Sequence, residues 1–289
     1  MLEAARDQVV DCGNGARLLL HLNEPRNAER SGTVVLIHGW EGSASSTYML
    51  SAGSQLWSAG YRVARLNLRD HGDSHHLNRA LFHSCRLDEV VGAVKWVQQE
   101  FPDSPLYLGG YSLGGNFALR VAARADAADL DIRRVVAICP VLNPEQTMEA
   151  LDSGWAGYRM YFIHKWRRSL KLKRAAFPSE YDFSNLERFK TLESMTGYFV
   201  RHYTEYPDLL TYLRGYALVG DRLAGMRVPS EMLVAEDDPV IPVKGLEQLA
   251  RPDSLRIRRS AFGGHCGFLE NYRLCSLLDR YLVDALDAA

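Results

Sequence analysis

The feature that most constrains this chain is the run Gly110-Tyr111-Ser112-Leu113-Gly114. It fits the pattern G-x-S-x-G, and its surroundings decide how to read it. A strand-like run from Pro105 to Gly109 precedes it, and a helix-like run from Leu113 to Ala125 follows. A strand that passes into a helix without a loop must turn sharply, and only residues lacking a Cβ fit beside such a turn. Ser112 is thereby held in a strained backbone conformation with its hydroxyl lifted clear of the sheet. The first N–H groups of the helix and its dipole favour negative charge developing there. Five-residue patterns recur by chance, so the strand-turn-helix setting is what gives this one weight.

The 289 residues suffice for one large α/β domain with an insertion or for two small domains, and 47% hydrophobic with 24% charged residues is ordinary for a globular chain. A formal net charge of -1 gives no basis for nucleic acid or an anionic membrane as partner. Five scattered cysteines without a C-x-x-C argue against a disulfide framework or a zinc site and suit a reducing compartment. The first seven residues lack the basic start and apolar core of a signal peptide, and no apolar run approaches the ~18 residues of a transmembrane segment. A cytoplasmic protein is expected. Lys165, Arg167, Arg168, Lys171, Lys173 and Arg174 crowd one stretch, which reads first as a solvated helix face. The aromatics just upstream (Trp155, Tyr158, Tyr161, Phe162, Trp166) leave a membrane-surface or acidic-partner contact as the competing reading.

Short apolar runs alternate with helical patterns, the sequence sign of βαβ units around a parallel sheet. Strands are expected at Leu18 to Leu22 in an N-terminal hairpin, Thr33 to Ile37, Val63 to Leu68, Pro105 to Gly109, Val135 to Ile138, Met232 to Ala235 and Leu255 to Ser260. Helices are expected near Thr47 to Ala59, Leu87 to Glu100, where apolar residues recur at helical spacing before Pro102, and Leu269 to Ala285. Between Asn143 and about Arg227 the alternation stops, and the stretch turns aromatic, basic and helical. It reads as a helical cap inserted at 143–227 over the carboxyl ends of the strands, with 1–142 and 228–289 forming the core.

A serine hydroxyl is a poor nucleophile until a base takes its proton, and a carboxylate orients the base. On this kind of turn the groups follow in chain order Ser, acid, His. The acid candidate lies in Ala235-Glu236-Asp237-Asp238-Pro239-Val240-Ile241-Pro242, just after a strand. Asp238 is favoured because the two prolines stiffen its loop, with Asp237 as the runner-up facing solvent. His265, in Phe262-Gly263-Gly264-His265-Cys266-Gly267-Phe268 after the last strand, is the base candidate, with glycines leaving room for the ring. His21, His71, His75, His76, His164 and His202 read as surface or packing histidines, His71 in a loop near the site. The His75-His76 pair lacks a third ligand at metal-like spacing. Two amides must receive the oxyanion. Leu113 follows the nucleophile, and Trp40 lies in the strand-exit loop His38-Gly39-Trp40-Glu41-Gly42-Ser43.

With these segments in view, the chain resembles the YheT-like branch of the α/β-hydrolase superfamily. The likeness rests on His38 to Ser43, Gly110 to Asn116, Asp237-Asp238-Pro239, Gly263 to Phe268, and Phe82-His83-Ser84 followed by Asp88-Glu89. It covers most of the chain from residue 31 and is weakest in the expected cap. It implies an α/β-hydrolase fold, a mostly parallel sheet flanked by helices, and esterase-like hydrolysis by Ser112, Asp238 and His265. The chain departs from the family in carrying Trp40 and Cys266 at places of smaller or aliphatic residues and in Asp70-His71-Gly72-Asp73, and the family's N-terminal extension is expected to be missing. The expected function is a cofactor-free serine hydrolase, carboxylesterase-like, on small-molecule esters with small to medium apolar groups, with a homodimer as a compatible assembly. Thioester hydrolysis or acyl transfer would use the same groups, and a non-catalytic hydrolase-fold binding protein is the reading from another class. A dehalogenase would carry an aspartate where Ser112 stands.

Overall fold

The structure, a computed structural model, describes residues 5–25, 32–272 and 276–288. The first four residues and Cys275, which entered the expectations on signal peptide and cysteine pairing, lie outside that set. Strand β3 (Thr33–Ile37) is buried at every position. Such a run has two apolar faces and must be covered on both. Val34 and Leu36 meet Met49 and Leu56 of α1 (Thr47–Ser58) and Leu282 and Leu286 of α9 (Leu277–Asp287). Val35 and Ile37 share the opposite core with Val90 and Val94 of α2 (Leu87–Glu100) and Phe117 and Val121 of α3 (Leu113–Ala123).

Among the described residues eight strands form one sheet in the order β1-β2-β4-β3-β5-β6-β7-β8. β1 (Arg6–Asp11) and β2 (Arg17–Asn23) make an antiparallel hairpin, and β2 runs antiparallel to β4 (Arg62–Asn67). The other pairings are parallel, through β5 (Leu106–Tyr111), β6 (Ile132–Ile138), β7 (Ser230–Ala235) and β8 (Leu255–Ser260). The fold is thus the expected α/β-hydrolase arrangement. Because β4 and β5 lie on opposite sides of β3, the connections leaving β3 and β5 diverge and open a crevice at their carboxyl ends.

The chain between β6 and β7 holds α5 (Pro144–Ser153), α6 (Ala156–Ala176), α7 (Leu192–Tyr203) and α8 (Leu209–Gly215), and no strand among the described residues. Asn143, Thr191 and Asp208 accept backbone N–H groups at the starts of α5, α7 and α8, which fixes where these helices begin. Leu170, Phe183, Met195 and Phe199 give this segment a small core that also takes in Leu81 from the loop before α2.

Three expectations shift. The helix after the elbow strand ends at Ala123, and a short turn of helix, α4 (Ala125–Ala128), follows it. The last helix begins at Leu277 rather than near Leu269, since Leu269 pairs with Ser276 in an antiparallel bridge that continues the turn. The basic stretch is not uniformly solvated. Arg168, Lys171 and Arg174 are exposed, but Lys173 is fully buried. Its ammonium meets Asp70 Oδ1 at 2.8 Å and the carbonyls of Asn78 and Ala80 at 2.5 and 3.3 Å. A buried charge persists only with such partners. Ser169 Oγ donates to the Asp70 carbonyl nearby, so α6 is fastened to the loop after β4 along one face.

Candidate active site

β5 ends at Tyr111 and α3 starts at Leu113, leaving Ser112 alone to make the turn at φ 53° and ψ -118°. Its N–H donates to the Ile138 carbonyl at 2.8 Å, and its carbonyl accepts from Asn116 and Val141. These bonds hold a conformation that costs a non-glycine residue about 1–3 kcal/mol. The flanking glycines are required by contact. A Cβ on Gly114 would lie 2.1 Å from the Ile37 carbonyl oxygen, and one on Gly110 would lie 2.3 Å from the Gly114 oxygen.

Ser112 Oγ stands 3.0 Å from His265 Nε2. His265 Nδ1 lies 2.9 Å from Asp238 Oδ2 and 3.2 Å from Oδ1. The three side chains that the sequence singled out, from loops after β5, β7 and β8, form one continuous hydrogen-bonded line. Asp238 is held by amides rather than by prolines alone: its Oδ1 accepts from Val240 at 2.8 Å and Ile241 at 3.0 Å. Asp237 is exposed, and its Oδ1 accepts the Gly264 N–H at 2.8 Å, tying the histidine loop to the acid loop. That loop closes on itself where Gly267 and Phe268 donate to the Gly263 carbonyl.

In the loop after β3 three successive amides differ. Gly39 N–H donates to the Tyr48 hydroxyl at 3.0 Å and Glu41 N–H to His71 Nε2 at 3.1 Å. No acceptor for the Trp40 N–H between them, nor for that of Leu113, is found among the described residues. Trp40, Leu113 and Ser112 line one cavity. His71 is therefore more than a nearby packing residue. Its Nδ1 donates to the Arg69 carbonyl at 2.7 Å, which leaves Nε2 to accept. His38 repeats the pattern, with Nδ1 donating to the Gly39 carbonyl and Nε2 accepting from Leu68. Both rings are buried, and burial pushes His38 down to about 4 and His71 well below its usual value. They are neutral braces for the loop that carries Trp40.

The cavity at Ser112 takes in about 1180 Å³ of atom-free space, its mouth included. Its walls are mainly apolar, with Phe162 and Trp166 of α6, Leu192 and Phe199 of α7, and Val240 and Ile241 of the acid loop. Phe162 stacks on Trp40 with ring centres 5.4 Å apart, and Trp166 meets it edge-on at 5.3 Å. Two polar groups in this wall escaped the sequence reading. Glu41 is buried, and desolvation pushes its carboxyl up to about 8, against Lys165, which pulls it down. His83 is buried with both ring nitrogens lacking a hydrogen bond. Both lie in segments that carry the family likeness, but nothing in those segments assigns them a role; the folded wall brings them to the cavity. No group of three or more candidate metal ligands occurs among the described residues.

Residues 32–272 match the alpha/beta hydrolase fold family, so the chain belongs to that family. Among curated proteins it is 26% identical over 261 residues to "Putative esterase YheT" of Escherichia coli (strain K12), covering 85% of this chain and 73% of that protein. It is 23% identical over 299 residues to Monoacylglycerol lipase ABHD2 of Danio rerio, covering 95% and 70%. Among solved structures, esterase Pf2001 of Pyrococcus furiosus superposes with a TM-score of 0.65 at 14% identity, over 98% of this chain and 92% of that one. Est1E of Butyrivibrio proteoclasticus, with ferulic acid bound, gives 0.60 at 15%, over 97% and 99%. The protein is an esterase-like α/β hydrolase. No helix among the described residues is long and apolar enough to cross a membrane.

Proposed function

We propose that this protein is a serine carboxylesterase, with Ser112 as nucleophile, His265 as base and Asp238 as the acid that orients it. The observation that carries the reading is the line of hydrogen bonds from Asp238 through His265 to Ser112, opening into the cavity that Trp40 and Leu113 also line. His265 Nε2 takes the proton as Ser112 Oγ attacks the ester carbonyl carbon. The oxyanion receives the amides of Trp40 and Leu113, the kind of donor whose loss costs roughly 3–4 kcal/mol of barrier elsewhere. The C–O bond then breaks, and the alcohol leaves with the proton from His265. Water, deprotonated by the same ring, attacks the acyl-enzyme, and the acid departs as Ser112 regains its hydrogen. Asp238 accepts from Nδ1 throughout and keeps Nε2 free to act as base.

Segment 143–227 serves as a cap in this reading. Its Phe162, Trp166, Leu192 and Phe199 supply apolar wall opposite Ser112, which suits a small to medium acyl or alcohol group. The relatives named as esterase and as monoacylglycerol lipase support ester chemistry without fixing the substrate. The test compares p-nitrophenyl esters of rising acyl length with the matching acyl-CoA thioesters, on wild type and on folded Ser112→Ala. Ester turnover that vanishes in the variant is expected. Turnover confined to thioesters would move the assignment to that class, and equal negligible rates in both proteins would refute catalysis by this site.

A further inference from the structure

Phe82, His83 and Ser84 form a rigid piece of cavity wall. Phe82 N–H donates to Asp70 Oδ2 at 2.8 Å, Ser84 N–H donates to the Tyr212 hydroxyl at 3.0 Å, and the Ser84 carbonyl accepts from Arg120 Nη1 at 2.8 Å. The backbone is pinned on both sides of His83, and the ring stands among Tyr206 and Tyr212, centres 5.9 and 6.2 Å away. Only 6% of His83 is exposed, yet neither Nδ1 nor Nε2 has a hydrogen bond. The Glu205 carboxylate, mostly exposed, lies 3.5 Å from Nε2. Burial favours the uncharged ring, with which an exposed carboxylate forms no ion pair. Burial, then Arg86, Arg69 and Arg120, push the imidazole down to about 3. Among the described residues His83 alone lines both the apolar cavity at Ser112 and a smaller polar one that holds Arg69, Glu89 and Glu205.

Leaving a buried polar group unpaired is costly, so an orphaned imidazole in a fixed wall calls for a partner from the cavity's occupant. A neutral imidazole presents a donor at one nitrogen and an acceptor at the other. A hydroxyl satisfies whichever nitrogen it meets, whereas an ether or carbonyl oxygen only accepts. We propose that His83 is a polar subsite for a hydroxyl carried by the substrate away from the scissile bond, which makes hydroxyl-bearing esters the preferred class. This rests on the ester-hydrolase reading for the turnover arm alone, since the subsite is also tested by binding.

The experiment uses p-nitrophenyl esters from butanoate to dodecanoate, each with and without a terminal hydroxyl, and the propyl and glyceryl esters of the same acids. Binding to Ser112→Ala is followed by intrinsic tryptophan fluorescence, to which Trp40 and Trp166 in the cavity wall contribute, and turnover is measured on wild type. At one length or on the alcohol side, the hydroxylated member is expected to bind about tenfold more tightly. The gain is expected in KM more than in kcat. His83→Phe in the Ser112→Ala background should erase the preference, and His83→Gln, which keeps a donor and an acceptor, should retain most of it. Preference in binding without turnover would uphold the subsite and refute the esterase reading. Turnover without preference at any length, or a preference that survives in folded His83→Phe, would overturn the subsite and leave His83 to buried water.

Discussion

Ser112, the proposed nucleophile, also holds a local strain, and the two can be separated by substitution. Glycine is at ease at φ 53°, so Ser112→Gly should remove activity and raise stability by about 1 kcal/mol, read by denaturant titration. A variant no more stable than wild type would mean that the turn is unstrained. Asp238→Asn should leave the fold intact and lower kcat by up to about 10⁴, as tautomer control is lost, while Asp237→Asn loses little. The reverse ranking in steady-state kinetics would exchange their roles. Glu41 gives the residue scale a pH signature. Its folded value near 8 lies above the ordinary 4.5, so its contribution to stability is whole below 4.5 and is lost as pH rises through 8. Glu41→Gln should therefore melt higher than wild type at about pH 9 and show a smaller gain at about pH 5. An equal gap at both pH values would rule out a buried titrating carboxyl.

Elements differ in how plainly the sequence announced them. β3 was legible because five buried β-branched or aliphatic residues have no other use, and the elbow because its glycines are demanded by backbone contacts of 2.1 and 2.3 Å. Gly114→Ala should for that reason give little soluble folded protein. That Ser112, Asp238 and His265 would meet could be read from chain order, since each sits in a loop directly after a strand. What stayed hidden depends on distant packing. Periodicity puts Lys173 in a basic run, but the neighbour that decides its burial, Asp70, is 103 residues away. His83 and Glu41 acquire meaning only once α6, α7 and α8 form the opposite wall. Lys173→Met leaves Asp70 as a buried lone charge and should cost about 3–5 kcal/mol. Adding Asp70→Asn should recover part of that loss. A single variant as stable as wild type in urea would mean that α6 does not depend on this pair.

At the scale of the whole molecule, two sets of buried groups bound the useful pH range. His38, His71, His75 and His83 are pushed below the ordinary 6.5 chiefly by burial. Their contribution to stability is whole above about 6.5 and drains as pH falls toward 4, because the unfolded chain binds their protons first. Glu41 acts in the opposite sense on the alkaline side. The melting temperature should peak near neutrality and fall steeply in acid, and a profile flat down to about pH 4 would contradict these burials. The same architecture sets the chemistry. The crevice where β3 and β5 diverge brings an amide-bearing loop against the elbow, and the strands beyond deliver Asp238 and His265, the proposed acid and base. Everything proposed for this site requires Ser112 to be an armed nucleophile. The most direct measurement is the intact mass and peptide map after treatment with a fluorophosphonate probe. A single adduct on Ser112, absent in Ser112→Ala and formed far more slowly in His265→Ala, is the expected result. An unlabelled wild-type protein, or an adduct on another residue, would contradict it.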